Sequence, residues 1–334
     1  MAAKKEVVEL ASQYWDSANP ESKALVQEFL QDSKQLSSQT IKQYQSALKI
    51  WLCYLNKFCN NICITEAKKR DLAKFQLWLH GLEIYEANIR MKRSAISSFN
   101  EWVLLMYDDI YPDFRNFVSK GIKVPETGKR HEKEPLTDEE FEMLVKYLER
   151  NEEWQTLAWF VFTYTTGCRK NESAQLLKEV VKQVPVERVV KVRDENGEER
   201  EVPIKKYKTN PIKCKGKESD DKKKLSFDEN TMFYLMKWLK ARGEDECPYM
   251  FIAGKGRSAR KPEIEIFNRW CTKLEDVLGR RLHPHLLRSS RATSLYMGGK
   301  NIEAIQALLG HKSSDTTRIY IINDNDDEDD EIFA

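Results

Sequence analysis

The clearest hydrophobic pattern in the chain is a stripe of apolar residues at steps of three and four within residues 37–58. Its members are Ile41, Tyr44, Leu48, Trp51, Leu55 and Phe58. This spacing places them on one face of an α-helix, with Ser38 or Thr40 as its cap. Residues 65–82 and 86–107 are typical of two further helices. Together they predict a compact helical bundle over residues 36–118, after a short helical lead-in at residues 1–35.

Residues 119–134 have almost no apolar pattern and are rich in Gly, Pro and Lys, so they predict a flexible basic linker. Thr137 and Glu140 then have the spacing of a capping box that opens the first helix of a second domain. A Val-rich stretch with Asn-Gly at 196 and 197 predicts a β-hairpin. The segment IKCKGKESDDKKKLSF predicts another hairpin with a long charged turn. The predicted fold class is mainly α with a small antiparallel β-sheet.

Charge is distributed unevenly along the chain. Its 334 residues suffice for two domains, and the formal net charge is only +2. Residues 323–334 carry seven acids and no base, so the remainder stands at +2 + 7 = +9. A basic body with an acidic tail fits a nucleic-acid partner. A solubilising tail on a mildly basic enzyme is the alternative that charge leaves open.

Neither a membrane segment nor a secretory leader is expected. There is no apolar run of about 18 residues, and the N-terminus lacks an apolar signal core. The expected location is the cytoplasm, or the nucleus in a eukaryote. Seven scattered cysteines predict free thiols, with Cys53, Cys59 and Cys63 acting as small apolar residues rather than metal ligands.

Reactive side chains gather within residues 283–320. HPHLLRSSRATSLYMGG predicts a helix that begins near Pro284 and places His285 and Arg288 on one face. NIEAIQALLG predicts a short helix between Asn301 as its cap and Gly310 as its stop. Taken singly, a histidine, arginine or tyrosine in such helices is more often structural than catalytic.

Taken together, the motifs resemble the tyrosine recombinase family, also called the lambda-integrase family. HPHLLR contains His-x-x-Arg, LLGH follows, and a Thr-rich step leads to a tyrosine. TTGCRKNESAQL matches the family's first block, an arginine after Thr-Gly with an acid three residues later. The resemblance covers about residues 38–322 and is specific in the second domain. It assigns these site residues: Arg169, Glu172, His285, Arg288, His311 and Tyr320.

The resemblance implies a phosphoryl-transfer reaction on double-stranded DNA. Arg169 and Arg288 would hold the scissile phosphate, because guanidinium groups offer fixed donors and stay protonated. Tyr320 would attack it, giving a 3′-phosphotyrosyl link and a 5′-hydroxyl. A phenol has a pKa near 10, so His285 is the expected general base. His311 would donate a hydrogen bond to the phosphate, with Glu172 in a supporting role.

The family also uses a lysine on a hairpin between the two arginine blocks. Lys215 is the predicted proton donor to the leaving 5′-oxygen. Lys213 and Lys217 compete with it, because a strand alternates faces and turn length shifts the register. No carboxylate cluster for Mg²⁺ and no phosphate-binding Gly-rich loop occurs in the sequence, so no metal, ATP or other cofactor is expected.

Basic residues outside the motifs are the candidates for DNA contacts. Arg90, Lys92 and Arg93 lie among small residues near the start of a predicted helix, which could follow a DNA groove. A solvated polar face is the equal alternative. Lys213 and Lys217 are DNA-binding candidates on the hairpin.

The predicted function is a site-specific DNA recombinase or integrase. The predicted domains are a SAM-like core-binding domain at residues 36–118 and a catalytic domain at 135–322, clamping DNA from two sides. By resemblance, four protomers act on two DNA sites. The alternatives are a type-IB-like topoisomerase, a DNA-binding module that does not cut, and a helical scaffold with a chance motif. In the acidic tail, Ile332 and Phe333 could anchor on a neighbouring protomer, or the tail could only aid solubility.

Overall fold

The computed structural model describes residues 2–118, 121–125, 134–193, 199–214, 222–310, 317–318 and 321, with the backbone alone at 2–5 and 191–193. The chain divides into two compact units, Met1–His131 and Glu132–Ala334. Within the described ranges, no helix is both long enough and apolar enough to cross a membrane.

The first unit is a bundle of α-helices. Its helices are α1 (Ala2–Tyr14), α2 (Pro20–Asp32), α3 (Ser38–Phe58), α4 (Lys69–Gly81) and α5 (Glu86–Met106). Leu25 and Phe29 of α2 are buried in the same core as Trp51 of α3, so the N-terminal helices form part of the bundle. Ser37 caps α3 by accepting from the Thr40 amide at 3.1 Å. The predicted cap at Ser38 or Thr40 was therefore wrong by one to three residues.

The second unit is mainly α, and short antiparallel strands interrupt its helices. Its helices are α6 (Asp138–Arg150), α7 (Trp154–Thr166), α8 (Lys170–Ser173), α9 (Glu229–Arg242), α10 (Glu265–Leu278), α11 (Pro284–Met297) and α12 (Ile302–Leu309). Its strands are β1 (Val186–Arg193), β2 (Glu199–Lys208), β3 (Ile212–Lys213), β4 (Lys222–Lys223) and β5 (Ser226–Phe227). The predicted fold class is confirmed.

The strands form two small sheets. One has the order β1-β2-β5, and the other pairs β3 with β4, placing Ile212 opposite Lys223 and Lys213 opposite Lys222. Both predicted hairpins therefore have their strands. The Asn-Gly turn at 196 and 197 and the charged turn at 215–221 lie outside the described residues.

Helix α7 forms the centre of the second unit. Nearly all of its side chains are buried, among them Leu157, Trp159, Phe160 and Phe162. A helix that is apolar on all sides is enclosed by its neighbours, which restrict its movement. Its C-terminus is therefore held firmly, and the first motif block begins there.

The predicted capping box of α6 and the predicted ends of α12 are confirmed. Thr137 Oγ1 accepts from the Glu140 amide at 3.2 Å, and Glu140 Oε2 accepts from the Thr137 amide at 3.0 Å. Asn301 caps α12 by accepting from the Ala304 amide at 2.9 Å. Gly310 ends α12 in the left-handed conformation, at φ +67°. All seven cysteines are free thiols.

Candidate active site

A sharp turn after α7 delivers the first arginine. Gly167 ends α7 at φ +58°, a left-handed conformation that favours glycine. A Cβ at this position would lie 2.6 Å from Leu309 Cδ2, so glycine also allows α12 to approach closely. Two residues later, Arg169 is the N-cap of α8.

Glu172 binds Arg169 twice. Its Oε2 accepts from the Arg169 main-chain amide at 3.0 Å, and its Oε1 accepts from Arg169 Nη1 at 3.0 Å. The Glu172 side chain is only 2% exposed, whereas that of Arg169 is 27% exposed. The three-residue spacing thus lets a buried carboxylate orient a guanidinium that still reaches the surface.

Arg288 of α11 is buried at 1% exposure and donates to two main-chain carbonyls. Its Nη1 lies 2.5 Å from the Gly167 oxygen, and its Nη2 lies 2.9 Å from the Leu309 oxygen. These bonds tie the ends of α7 and α12 to the middle of α11. They also fix the plane of the guanidinium, because a planar fork has one orientation that serves both acceptors.

Lys223 of β4 enters the same cluster. Its Nζ lies 3.5 Å from Glu172 Oε2 and donates to the Leu309 oxygen at 3.2 Å. The side chain is 22% exposed. Three cations therefore surround one buried carboxylate and one carbonyl in the second unit.

The residue after Tyr320 shares an apolar core with Leu309, whose carbonyl belongs to this cluster. Ile321 is buried with Leu309, Ala292 and Ile305 in a small core between α11 and α12. Its amide donates to the Thr317 oxygen at 3.3 Å. Ile321, which follows Tyr320, is therefore held in a core with Leu309, and the Leu309 carbonyl accepts from Arg288 and Lys223.

His285 is exposed on the first turn of α11. Its ring lies nearly parallel to that of His283, with centroids 6.5 Å apart. His283 caps α11, since its Nδ1 accepts from the Leu286 amide at 3.1 Å. The predicted helix face is only partly shared, because Arg288 points inward while His285 faces solvent.

Cys168 lies between Gly167 and Arg169 and is fully buried. Burial raises the pKa of this thiol to about 12. The group is therefore a protonated thiol at neutral pH, and it fills space rather than acting as a nucleophile.

Four predicted site residues lie outside the described residues: Lys215, Lys217, His311 and Tyr320. The third hairpin lysine, Lys213, is exposed on β3. Its main chain is clamped by Gln175, which accepts from the Lys213 amide at 3.0 Å and donates to its oxygen at 3.1 Å. The hairpin is thus fastened next to the Arg169 segment.

The three basic residues predicted to contact DNA from the first unit lie on α5. Arg90 is exposed and pairs with Glu86, one turn away. Arg93 donates to the Ile122 main-chain oxygen, and burial lowers the pKa of Lys92. Of the three, Arg90 has the accessible side chain that a phosphate contact needs, while Arg93 and Lys92 are partly enclosed by the bundle.

Sequence reasoning missed Lys223 and the two carbonyls that hold Arg288. The only sequence indication of Lys223 is its place in KKKLSF, on the returning strand of the hairpin. Alternation of faces along a strand singles out the middle lysine, but only once the register with β3 is known. The carbonyls of Gly167 and Leu309 carry no residue-type signature at all.

Family models match both units of the chain. The family model described as "Phage integrase family" matches residues 134–327, more than half of the chain. The model described as "Phage integrase, N-terminal SAM-like domain" matches residues 26–105. The second match begins within α2, consistent with packing of that helix in the bundle core.

Two curated relatives match nearly the whole chain. The SPbeta prophage-derived recombinase-like protein YomM of Bacillus subtilis (strain 168) is 28% identical, over 98% of this chain and 95% of its own. Tyrosine recombinase XerC of Rickettsia bellii (strain OSU 85-389) is 25% identical, over 88% of this chain and 89% of its own.

Solved structures share the fold. XerH site-specific recombinase bound to palindromic difH substrate, in a post-cleavage complex, has a TM-score of 0.67 and 19% identity, covering 98% of this chain and 89% of that one. The Tn1549 transposon integrase in complex with transposon right end DNA has a TM-score of 0.65 and 15% identity, covering 93% and 97%. With the family models matched across both units, the chain belongs to the phage integrase family of tyrosine recombinases.

Proposed function

We propose that this chain is a site-specific DNA recombinase that cuts and rejoins DNA through a 3′-phosphotyrosyl intermediate. The observation that carries the proposal is the convergence of Arg169, Lys223 and Arg288 on Glu172 and the Leu309 carbonyl. Because the chain belongs to the tyrosine recombinases, which exchange DNA strands, the reaction proposed for this cluster is DNA strand transfer.

The charge of the cluster suits a phosphodiester. Three cations and one carboxylate leave a net charge of +3 − 1 = +2 in a partly buried site. A phosphodiester carries one negative charge, and charge builds up on its non-bridging oxygens as a nucleophile adds. Fixed cations stabilise that transition state without reorganising at the moment of reaction.

The chemical step uses residues on both sides of the cluster. The Tyr320 hydroxyl attacks phosphorus, so an O–P bond to tyrosine forms and the bond from phosphorus to the 5′-oxygen breaks. His285 accepts the phenol proton, and its exposure on α11 leaves it open to DNA. Lys215 protonates the leaving 5′-oxygen, with Lys213 and Lys217 as the alternatives, and His311 donates to the phosphate.

The intermediate conserves the energy of the broken bond. A second 5′-hydroxyl can therefore attack the phosphotyrosine, release Tyr320 and restore a DNA strand without ATP. The proposed assembly is four protomers on two sites of double-stranded DNA, acting where DNA is found: in the cytoplasm, or in the nucleus of a eukaryotic host. The first unit, with Arg90 exposed on α5, is the proposed core-binding domain.

A two-site plasmid assay tests this proposal. A supercoiled plasmid carries two copies of the joined ends of the element that encodes the chain, and EDTA is present without ATP. The recombinase reading predicts two circles, or an inverted segment, according to the orientation of the sites. A product consisting only of relaxed plasmid would favour the topoisomerase alternative, and an unchanged plasmid that is nevertheless bound would favour a non-cutting DNA-binding protein.

A further inference from the structure

Lys223 touches both halves of the site at once. Its Nζ lies 3.5 Å from Glu172 Oε2, in the first motif block, and 3.2 Å from the oxygen of Leu309, in the second. The lysine stem also lies against Gly310, where an added Cβ would come within 3.0 Å of Nζ and 3.5 Å of Cδ. The residue that follows Gly310 is His311.

Each of these contacts is shared with an arginine. Glu172 also accepts from Arg169, at 3.0 Å, and the Leu309 oxygen also accepts from Arg288, at 2.9 Å. An ammonium has three donors and no acceptor, so one lysine can serve a carboxylate and a carbonyl together. Loss of its charge would leave the buried Glu172 balanced by Arg169 alone, drawing that guanidinium inward and away from a phosphate.

We propose that Lys223 is a positioning residue that aligns Arg169 and Arg288 on the scissile phosphate by joining Glu172 to the Leu309 carbonyl. The inference rests on the proposed function. It assigns Lys223 a role separate from that of the proton donor, because the contacts of its ammonium are with the Glu172 carboxylate and the Leu309 oxygen.

The hairpin offers a matched control for this role. Lys224 is the next residue and is exposed, so Lys224→Met removes the same charge from the same segment. Lys223→Met removes the ammonium and keeps most of the stem that covers Gly310. Both variants are assayed on a nicked duplex from which the cleaved fragment diffuses away, so that the covalent complex accumulates.

We expect Lys223→Met to slow single-turnover cleavage about 100-fold, since a small misplacement of aligned groups has that scale of effect. Binding of the same duplex should change little, because the contacts are internal. Lys224→Met should stay within about twofold of wild type. Lys223→Arg, which retains a cation, should recover part of the rate.

Two further measurements separate positioning from proton donation. A substrate with sulfur at the 5′-bridging position needs no proton on its leaving group, so it should leave the Lys223→Met defect in place. In a double-mutant cycle, Lys223→Met and Glu172→Gln should be strongly non-additive, because both break one network.

The inference is overturned if Lys223→Met cleaves as fast as Lys224→Met, or if the sulfur substrate restores its rate. The second result would make Lys223 the proton donor. Should the methionine variant fail to fold, judged by its thermal transition, Lys223→Gln keeps a donor for the Leu309 oxygen and must show the same defect. Absence of cleavage by the wild-type protein would instead contradict the proposed function itself.

Discussion

At the residue scale, main-chain carbonyls orient the guanidinium of Arg288. The oxygens of Gly167 and Leu309 fix its plane, while the Glu172 carboxylate fixes Arg169. The two arginines are thus held by different chemistry, one by carbonyls at helix ends and one by an ion pair. Both arrangements exist before DNA arrives, which is the condition for electrostatic catalysis.

Replacing either arginine should abolish most of the cleavage activity. For Arg169→Ala and for Arg288→Ala we expect a loss of about 3 kcal/mol in transition-state stabilisation, on the order of 100-fold in rate. DNA affinity should change modestly, because protein–DNA complexes generally distribute their hydrogen bonds over many phosphate and sugar groups. Single-turnover cleavage and gel shifts measure the two effects.

Arg269→Ala, on the exposed face of α10, is the control and should behave as wild type. Near-normal cleavage by either site variant would mean that the phosphate is held elsewhere.

Gly167 should be intolerant of a side chain for two separable reasons. Its left-handed φ disfavours any other residue by about 1–2 kcal/mol, and an added Cβ would meet Leu309 Cδ2 at 2.6 Å. Gly279 ends α10 at φ +74° with nothing within 4 Å of an added Cβ. Gly167→Ala should therefore lower the unfolding midpoint more than Gly279→Ala, and it should also slow cleavage by displacing α12. Equal midpoints would show that the contact with Leu309 has no energetic weight.

The family resemblance of short motifs predicted Arg169, Glu172 and Arg288 as site residues, but it indicated neither the partners of Arg288 nor the contacts of Lys223. The pairing of Arg169 with Glu172 follows from their spacing of three residues at the start of a helix. An acid at the third helical position can accept from the main-chain amide of the N-cap residue. The partners of Arg288 come from residues 121 and 21 positions away. Such contacts depend on the packing of α7, α11 and α12, which no local pattern specifies.

At the element scale, capping fixes where α6 begins. Glu140 closes the capping box with Thr137 and also accepts from Arg280 Nε at 2.9 Å. The hydrogen bond from Arg280 is the main reason that the pKa of the Glu140 carboxyl lies below its usual range. One side chain thereby joins the start of the second unit to the segment after α10.

This shift predicts a pH-dependent contribution to stability. A lowered pKa means that Glu140 stabilises the fold above about pH 4.5 and loses this effect as the pH falls through the lowered value. Glu140→Gln should therefore reduce the free energy of unfolding by about 1 kcal/mol at pH 7, the usual scale of a lost cap. Urea unfolding at pH 7 and pH 3 tests this, and the difference from wild type should shrink at pH 3. A difference that grew with acidity would contradict the assignment.

The hairpins show which part of an element a sequence specifies. The Val-rich stretch and the turn residues predicted two hairpins, and the structure pairs β1 with β2 and β3 with β4. The sequence did not predict the register between β3 and β4, because a long charged turn permits several pairings of the two strands. Only the register identifies Lys223 as a site residue. Lys223 lies opposite Ile212, and in this register its side chain reaches Glu172.

At the scale of the whole molecule, charge is separated along the chain. The acidic stretch at residues 323–334 follows directly on the segment that carries Tyr320. Its seven acids repel DNA, so a direct role in DNA affinity is unfavourable. A role between protomers would use Ile332 and Phe333 as apolar anchors and the acids against a basic patch.

Deleting residues 323–334 tests that role. We expect weaker assembly of protomers on two-site DNA, while binding to a single site stays equal or becomes tighter as seven negative charges are lost. Gel shifts and sizing of the complexes on one-site and two-site DNA distinguish the two effects. Unchanged assembly and recombination would leave the tail as a solubilising segment.

Trapping a covalent adduct between Tyr320 and a DNA 3′-phosphate is the decisive experiment for the proposed reaction. The protein is incubated with a nicked duplex that carries its recombination site. The products are separated in a denaturing gel, and the modified peptide is identified by mass spectrometry. Wild type should give a protease-sensitive 3′ adduct at Tyr320 with a free 5′-hydroxyl on the other fragment. Tyr320→Phe should bind the same duplex and give no adduct. An adduct in the phenylalanine variant, or linkage through any other residue or to a 5′ end, would contradict the account.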